Sequence, residues 1–328
     1  MQVLVTEFAH AKIAGRLAAL GPDLDVLTVD ATGAVKRAGA PVAEAEIDPE
    51  VFWITQEMYS TGQLPGFFGR MMGGTRGRWA QSFTAGLDNP AFKQLIAKGF
   101  RISKSSAQAP PIAEYVMAHA LSALHPIAAQ REAQAAGQWK RTPFREVADT
   151  RWVLVGYGAI GKEIAKRLQP FGAHLSVVRR NAAPEPLADE VRPTSDLIGL
   201  LPEADVVVLA CALNESTRGI AGEDFFQAMK PGALLTNIAR GALIQDAALK
   251  AGLDRDQPGL AVLDVFDPEP LPADAWQWSH PKVRVTGHTC NAGSGVEGRS
   301  GLLFLENLRR YRAGEPLLNE AKPSEVGL

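Results

Sequence analysis

Cysteine is nearly missing from this chain of 328 residues, which carries only Cys211 and Cys290. The two stand far apart in sequence, outside any CxxC or Cys/His ligand spacing. That argues against a disulfide framework and against a cysteine-based metal site, and it fits a reducing compartment. Long apolar runs are also missing: no stretch of about 18 residues could cross a bilayer. The opening MQVLVTEFAHAK has no basic start and only a brief apolar run, so no secretory signal is expected and the cytoplasm is the default. Excess charge is absent too. The formal net charge is −2, which leaves no basic footprint for nucleic acid or an anionic membrane surface. A small anionic ligand needs only local positive groups, so it stays open.

Apolar residues, by contrast, make up 46% of the chain, enough for substantial cores. The length predicts two domains rather than one. Short β-like runs at 2–5, 26–29, 51–55 and 79–83 alternate with a helical run at 11–20, which argues for a parallel sheet. Glycines crowd 62–77 and predict a tightly turned or mobile loop. A longer helix follows Pro110-Pro111, since proline suits a first helical turn. A second β/α series begins at 153–155 and continues with strands at 175–178, 206–210, 234–238, 261–265 and 283–286. The reading is an α/β protein of two Rossmann-like parallel-sheet domains, flavodoxin-like plus dinucleotide-binding. The substrate domain is expected at 1–105 plus 297–328, and the dinucleotide domain at 106–296.

The stretch VLVGYGAIGKEIAKRL places G-x-G-x-x-G at Gly156, Gly158 and Gly161. Three glycines alone are a weak signal, and a bare strand–turn–helix would also fit them. Their position between an apolar strand and a helix strengthens the reading. The first glycine allows the tight turn, the second lets backbone approach a pyrophosphate, and the third packs helix on strand. Ala159 and Ile160 then open the helix with free N–H groups facing phosphate. About twenty residues on, where an acidic residue would bind ribose hydroxyls, the chain has Arg179 and Arg180. Arginines there suit a 2′-phosphate, so NADP(H) is expected ahead of NAD(H). A solvated basic pair at a strand end is the bland alternative.

Three polar residues follow later strands: Arg240 after LLTNIA, Glu269 in LDVFDPEP, and His288 in VTGHT. In an open parallel sheet, ligands gather outside the carboxyl ends of strands. Reduction of a ketone needs a proton donor, for which histidine is suited near neutral pH. A carboxylate fixes the ring's tautomer, and an arginine grips a substrate carboxylate at two points. Taken singly, each residue has an ordinary explanation as a packed histidine, a surface cation or turn chemistry. The joint pattern carries the functional reading. Cys290 reads as small filler near the site, since hydride chemistry needs no thiolate.

With these blocks in this order, the chain resembles the D-isomer-specific 2-hydroxyacid dehydrogenases over nearly its whole length. The likeness rests on VLVGYGAIGKEIAKRL, MKPGALLTNIARGALIQDAAL, LDVFDPEPLP and VTGHT. It implies two similar α/β domains with cofactor and substrate in an interdomain cleft. It also implies Arg240 as the substrate-binding arginine, Glu269 as partner of the acid/base His288, and Asp264 at the nicotinamide end of the cofactor. In SFTAGLD it points to Ala85 and Gly86 as backbone ligands of the substrate carboxylate. Tyr59 or Met58 is a further expected pocket residue. Two departures stand out: Gly287 replaces the family's usual proline, and Ala212 stands near another. The resemblance implies a reductase of small 2-keto acids, of glyoxylate or hydroxypyruvate type, and a homodimer formed through the cofactor domain. No metal is expected. The rival readings are a nucleotide-sensing regulator on the same fold and a formate or phosphite oxidiser. The latter is disfavoured because formate oxidisers in the group carry an amide where Glu269 stands.

Overall fold

The structure, a computed structural model, describes residues 1–328. It divides into two compact units, Met1–Ala107 with Ser294–Leu328, and Gln108–Gly293.

The first unit holds β1 (Gln2–Thr6), β2 (Asp25–Val29), β3 (Val35–Arg37), β4 (Ala40–Pro41), β5 (Val51–Trp53), β6 (Trp79–Gln81) and β7 (Arg101–Ser103) in one sheet, ordered β4-β3-β2-β1-β5-β6-β7. Strands β2, β1, β5, β6 and β7 are parallel, and β3 and β4 add an antiparallel edge. The β3–β4 connection uses Ala38 and Gly39 at positive φ, the conformation that two-residue hairpin turns favour. Alternate side chains enter opposite cores: Leu4 and Phe52 on one face, Val3, Val5, Val51 and Trp53 on the other. The second face is covered in part by the C-terminal helix Val296–Arg312, through Phe304, Leu305 and Leu308.

Two local expectations change here. The first helix runs Glu7–Ala18, earlier than the expected 11–20, because the Thr6 hydroxyl accepts from the Ala9 N–H and fixes the start. The glycine-rich segment is not a loop throughout: Leu64–Gly73 is a helix. Phe67, Phe68 and Met71 bury one face of it, while Gly66, Gly69 and Gly73 face open space. The packing of three large side chains outweighs a glycine penalty of about 1 kcal/mol each.

The second unit carries β8 (Arg151–Val155), β9 (His174–Val178), β10 (Glu190–Arg192), β11 (Val206–Leu209), β12 (Leu234–Asn237), β13 (Leu260–Leu263) and β14 (Val283–Val285). All pairings are parallel, in the order β10-β9-β8-β11-β12-β13-β14. Helices cover both faces, so the strands read as continuous apolar runs. Trp152, Leu154, Val206 and Val208 pack toward the long helix Ala109–Leu124, and Val153, Val155, Val207 and Leu209 toward the opposite layer. The strand order reverses at β8. That switch point is where an open α/β sheet leaves a crevice for a ligand. No helix of the protein is long and apolar enough to cross a membrane.

Candidate active site

The glycine loop follows β8 directly. Gly156 has φ 103°, and a Cβ there would lie 2.7 Å from the Ala210 carbonyl. A Cβ on Gly161 would lie 2.5 Å from the Gly156 carbonyl oxygen. Both glycines are therefore demanded by close backbone packing. Gly158 differs: a Cβ there would meet nothing within 4 Å. The helix Ala159–Leu168 begins at this open point with no side-chain cap, which leaves the N–H groups of its first turn without that partner. An uncapped helix start beside an open glycine fits a pyrophosphate, which would satisfy those donors.

At the end of β9 the two arginines part company. Arg179 is half-buried, ion-paired with Glu185, and its Nε donates to the Asn181 carbonyl at 2.5 Å. Arg180 is exposed. The Arg179–Glu185 pair lies close enough to Tyr157 of the glycine loop for both charges to act on its hydroxyl, whose pKa burial pushes up. Arg180 is thus the arginine whose charge is not tied to Glu185.

Strands β12, β13 and β14 are parallel neighbours, so their carboxyl ends lie side by side, about 5 Å apart from one strand to the next. Arg240 follows β12. The Asn237 side chain holds this turn, donating from Nδ2 to the Arg240 carbonyl at 2.9 Å and accepting from the Ala239 N–H at 3.1 Å. The guanidinium Nη1 donates to the Ala239 carbonyl at 2.6 Å. Glu269 follows β13, and its Oε1 accepts from the Phe266 N–H at 2.8 Å. Its Oε2 lies 2.8 Å from Nδ1 of His288, which follows β14. A carboxylate only accepts, so Nδ1 carries the proton and Nε2 is left for another partner. The imidazole side chain is 42% exposed, open enough for a ligand to reach it.

Asp264 at the end of β13 is completely buried. Its carboxylate accepts from the Thr286 hydroxyl at 2.5 Å, the Thr289 N–H at 2.9 Å and the Cys290 N–H at 3.1 Å. Cys290 is buried beside it. Burial first, and then the Asp264 carboxylate, push its thiol pKa up, against a smaller pull from Arg240. A thiol held protonated is no nucleophile. Burial likewise raises the Cys211 thiol to about 11. No cluster of three or more metal-ligating side chains occurs.

In the first unit, Ala85 is exposed and Gly86 half-buried, with the Thr84 hydroxyl donating to the Gly86 carbonyl at 2.6 Å. Tyr59 is 67% exposed, whereas Met58 lies fully inside the core. The Thr286–Asp264 bond is not legible in the sequence, because it joins the ends of two neighbouring strands whose meeting depends on the strand order.

Gly241 joins the Arg240 turn to the Glu269 turn. A Cβ there would stand 2.0 Å from the Phe266 carbonyl carbon and 2.3 Å from its oxygen. Backbone cannot yield as a side chain does, so Gly241→Ala is expected to destabilise the protein by about 1–3 kcal/mol. Calorimetry would read this as a fall in Tm of roughly 2–10 °C. An unchanged Tm would contradict this packing.

The doubly wound sheet, the glycine loop at its switch point and the polar groups on three adjacent strand ends define a nicotinamide-dependent oxidoreductase. Residues 117–290 match the family described as D-isomer specific 2-hydroxyacid dehydrogenase, NAD binding domain. The chain belongs to this family and is an NAD(P)-dependent enzyme of 2-hydroxy and 2-keto acids. It is 35% identical over 233 residues to 4-methyl-2-oxopentanoate reductase A of Aspergillus oryzae, covering 69% of each chain. It is 33% identical over 170 residues to the glyoxylate reductase/hydroxypyruvate reductase of Homo sapiens, covering 52% of each. Among solved structures it is similar to a D-isomer specific 2-hydroxyacid dehydrogenase from Xanthobacter autotrophicus Py2 in complex with NADPH and MES. The TM-score is 0.79 at 25% identity, covering 99% of this chain and 98% of that one.

Proposed function

We propose that this chain is an NADP(H)-preferring reductase of small 2-keto acids, of the glyoxylate or hydroxypyruvate class, giving D-2-hydroxy acids. The carrying observation is the 2.8 Å His288–Glu269 pair at the end of the strand two places from the one that bears Arg240. When bound, the nicotinamide supplies the hydride. Arg240 binds the substrate carboxylate at two points and polarises the adjacent carbonyl. His288 delivers a proton from Nε2 to the carbonyl oxygen as negative charge develops there. Glu269 keeps Nδ1 protonated, and the Phe266 N–H stops its carboxylate from rotating away. In the reverse direction Nε2 takes the hydroxyl proton. Gly158, Ala159 and Ile160 cradle the pyrophosphate, and Ala85 and Gly86 offer backbone N–H groups to the substrate carboxylate, with Tyr59 near the pocket. Asp264, expected at the nicotinamide end, is buried with its carboxylate engaged by Thr286, Thr289 and Cys290, so it serves that end by holding the His288 loop rather than by touching the cofactor. The names of the human and Aspergillus relatives, both keto-acid reductases, support the reaction class. The NADPH in the Xanthobacter complex supports the cofactor. The enzyme works as a cytoplasmic homodimer, with Trp139–Phe144 at the interface; Trp139 is wholly exposed in the single chain.

The test is a spectrophotometric screen of NADPH and NADH against a panel of 2-keto acids. Oxidation of NADPH by short keto acids supports the reading, and no turnover with any of them overturns it. Within that assay, Arg180→Ala is expected to lower kcat/KM for NADPH by about 10- to 100-fold, the worth of a charged hydrogen bond. NADH turnover should be nearly unchanged. Equal losses with both cofactors would show that Arg180 does not read the phosphate.

A further inference from the structure

His288 has φ 50°, in the left-handed region that a non-glycine residue rarely adopts. Such a conformation costs on the order of 1 kcal/mol and persists only where neighbours over-determine it. Here four hydrogen bonds from one short segment converge on Asp264. The His288 N–H donates to its carbonyl at 2.8 Å. Thr286 Oγ1 and the N–H groups of Thr289 and Cys290 donate to its carboxylate. The residue between Thr286 and His288 is Gly287, where a Cβ would meet nothing within 4 Å. Nothing at position 287 itself stiffens the segment, and glycine has the freest backbone of any residue.

The chain of bonds has one more member. The Tyr115 hydroxyl, on the helix Ala109–Leu124, lies 2.7 Å from Thr286 Oγ1. Proton counting fixes its direction. Asp264 can only accept, so the single Thr286 hydroxyl proton goes to Asp264, and Tyr115 must donate to Thr286. Burial raises the Tyr115 pKa to about 12, so the donor keeps its proton at working pH. Its ring packs against His119 at 4.3 Å, which orients the hydroxyl independently of the bond.

We propose that Tyr115 is a positioning residue for His288, acting through the Thr286 hydroxyl and the Asp264 carboxylate to hold a glycine-loosened loop in its left-handed turn. The proposal rests on the reading of His288 as the proton donor, and its test separates the two. Tyr115→Phe removes one oxygen and leaves the ring in place. Hydrogen exchange followed by mass spectrometry on peptides covering 286–290, with no substrate present, is expected to speed up about fivefold, the equivalent of one ordinary hydrogen bond. In the keto-acid assay, kcat should fall by a similar factor while KM for NADPH stays put. Thr286→Val should reproduce both effects, and Thr286→Ser, which keeps the hydroxyl, should restore both. Adding Gly287→Ala to Tyr115→Phe should recover part of the loss by stiffening the pivot. Exchange and kcat both at wild-type values in Tyr115→Phe and Thr286→Val would overturn the proposal. So would faster exchange with undiminished kcat, provided His288→Ala is inactive. Were His288→Ala still active, the proton-donor reading and the positioning role built on it would fall together, and the exchange data would report the loop bonds alone.

Discussion

Replacing His288 with alanine is expected to lower kcat for keto-acid reduction by about 10²- to 10⁴-fold, the usual contribution of a positioned acid–base group. The imidazole is the one group placed by Glu269 to present a nitrogen outward, and no neighbouring cysteine can take its place because Cys290 stays protonated. Cofactor affinity should survive. The glycine loop follows β8, with β11, β12 and β13 between it and the β14 end that carries His288. Alanine also loses the polar side chain that helps a residue sit at positive φ, so His288→Asn is the companion variant. Asparagine tolerates the left-handed turn but transfers no proton. Both variants should titrate NADPH like the wild type by fluorescence and both should be nearly inactive. An asparagine variant that retained most of its turnover would show the histidine to be structural.

Arg240→Lys is expected to cost about 10²-fold in kcat/KM for the keto acid, mainly through KM. Lysine keeps the charge but offers a single rotating ammonium where the guanidinium offers a flat fork matched to a carboxylate. The Asn237 bonds to the backbone on both sides of the turn hold the arginine's main chain, so the variant should fold and bind cofactor normally. Steady-state kinetics at saturating NADPH read the effect. A KM within twofold of the wild type would assign the substrate carboxylate to another group.

Much of this is legible in the sequence. Strands buried on both faces must be apolar without interruption, so 153–155, 206–210 and 234–238 stood out. A parallel sheet also puts every strand end on one edge, which is why Arg240, Glu269 and His288 could be grouped from their positions after strands. Other features depended on contacts that a linear reading does not contain. Tyr115 falls on the apolar period of its helix, and its hydroxyl acquires meaning only from Thr286, 171 residues away. The two arginines at 179 and 180 are alike in sequence, and only the fold sets them apart by pairing Arg179 with Glu185. The helix at Leu64–Gly73 was hidden by its glycines, because local propensity pointed one way and the burial of Phe67, Phe68 and Met71 the other.

In the proposed mechanism one guanidinium and one carboxylate-held imidazole bracket the reacting carbon of the substrate. A crystal structure of the enzyme with NADP⁺ and oxamate, an unreactive stand-in for a 2-keto acid, tests it directly. The oxamate carboxylate is expected to pair with the Arg240 guanidinium, and its neighbouring carbonyl oxygen to lie within about 3.2 Å of His288 Nε2. An oxamate bound away from Arg240, or facing any group other than His288, would contradict it.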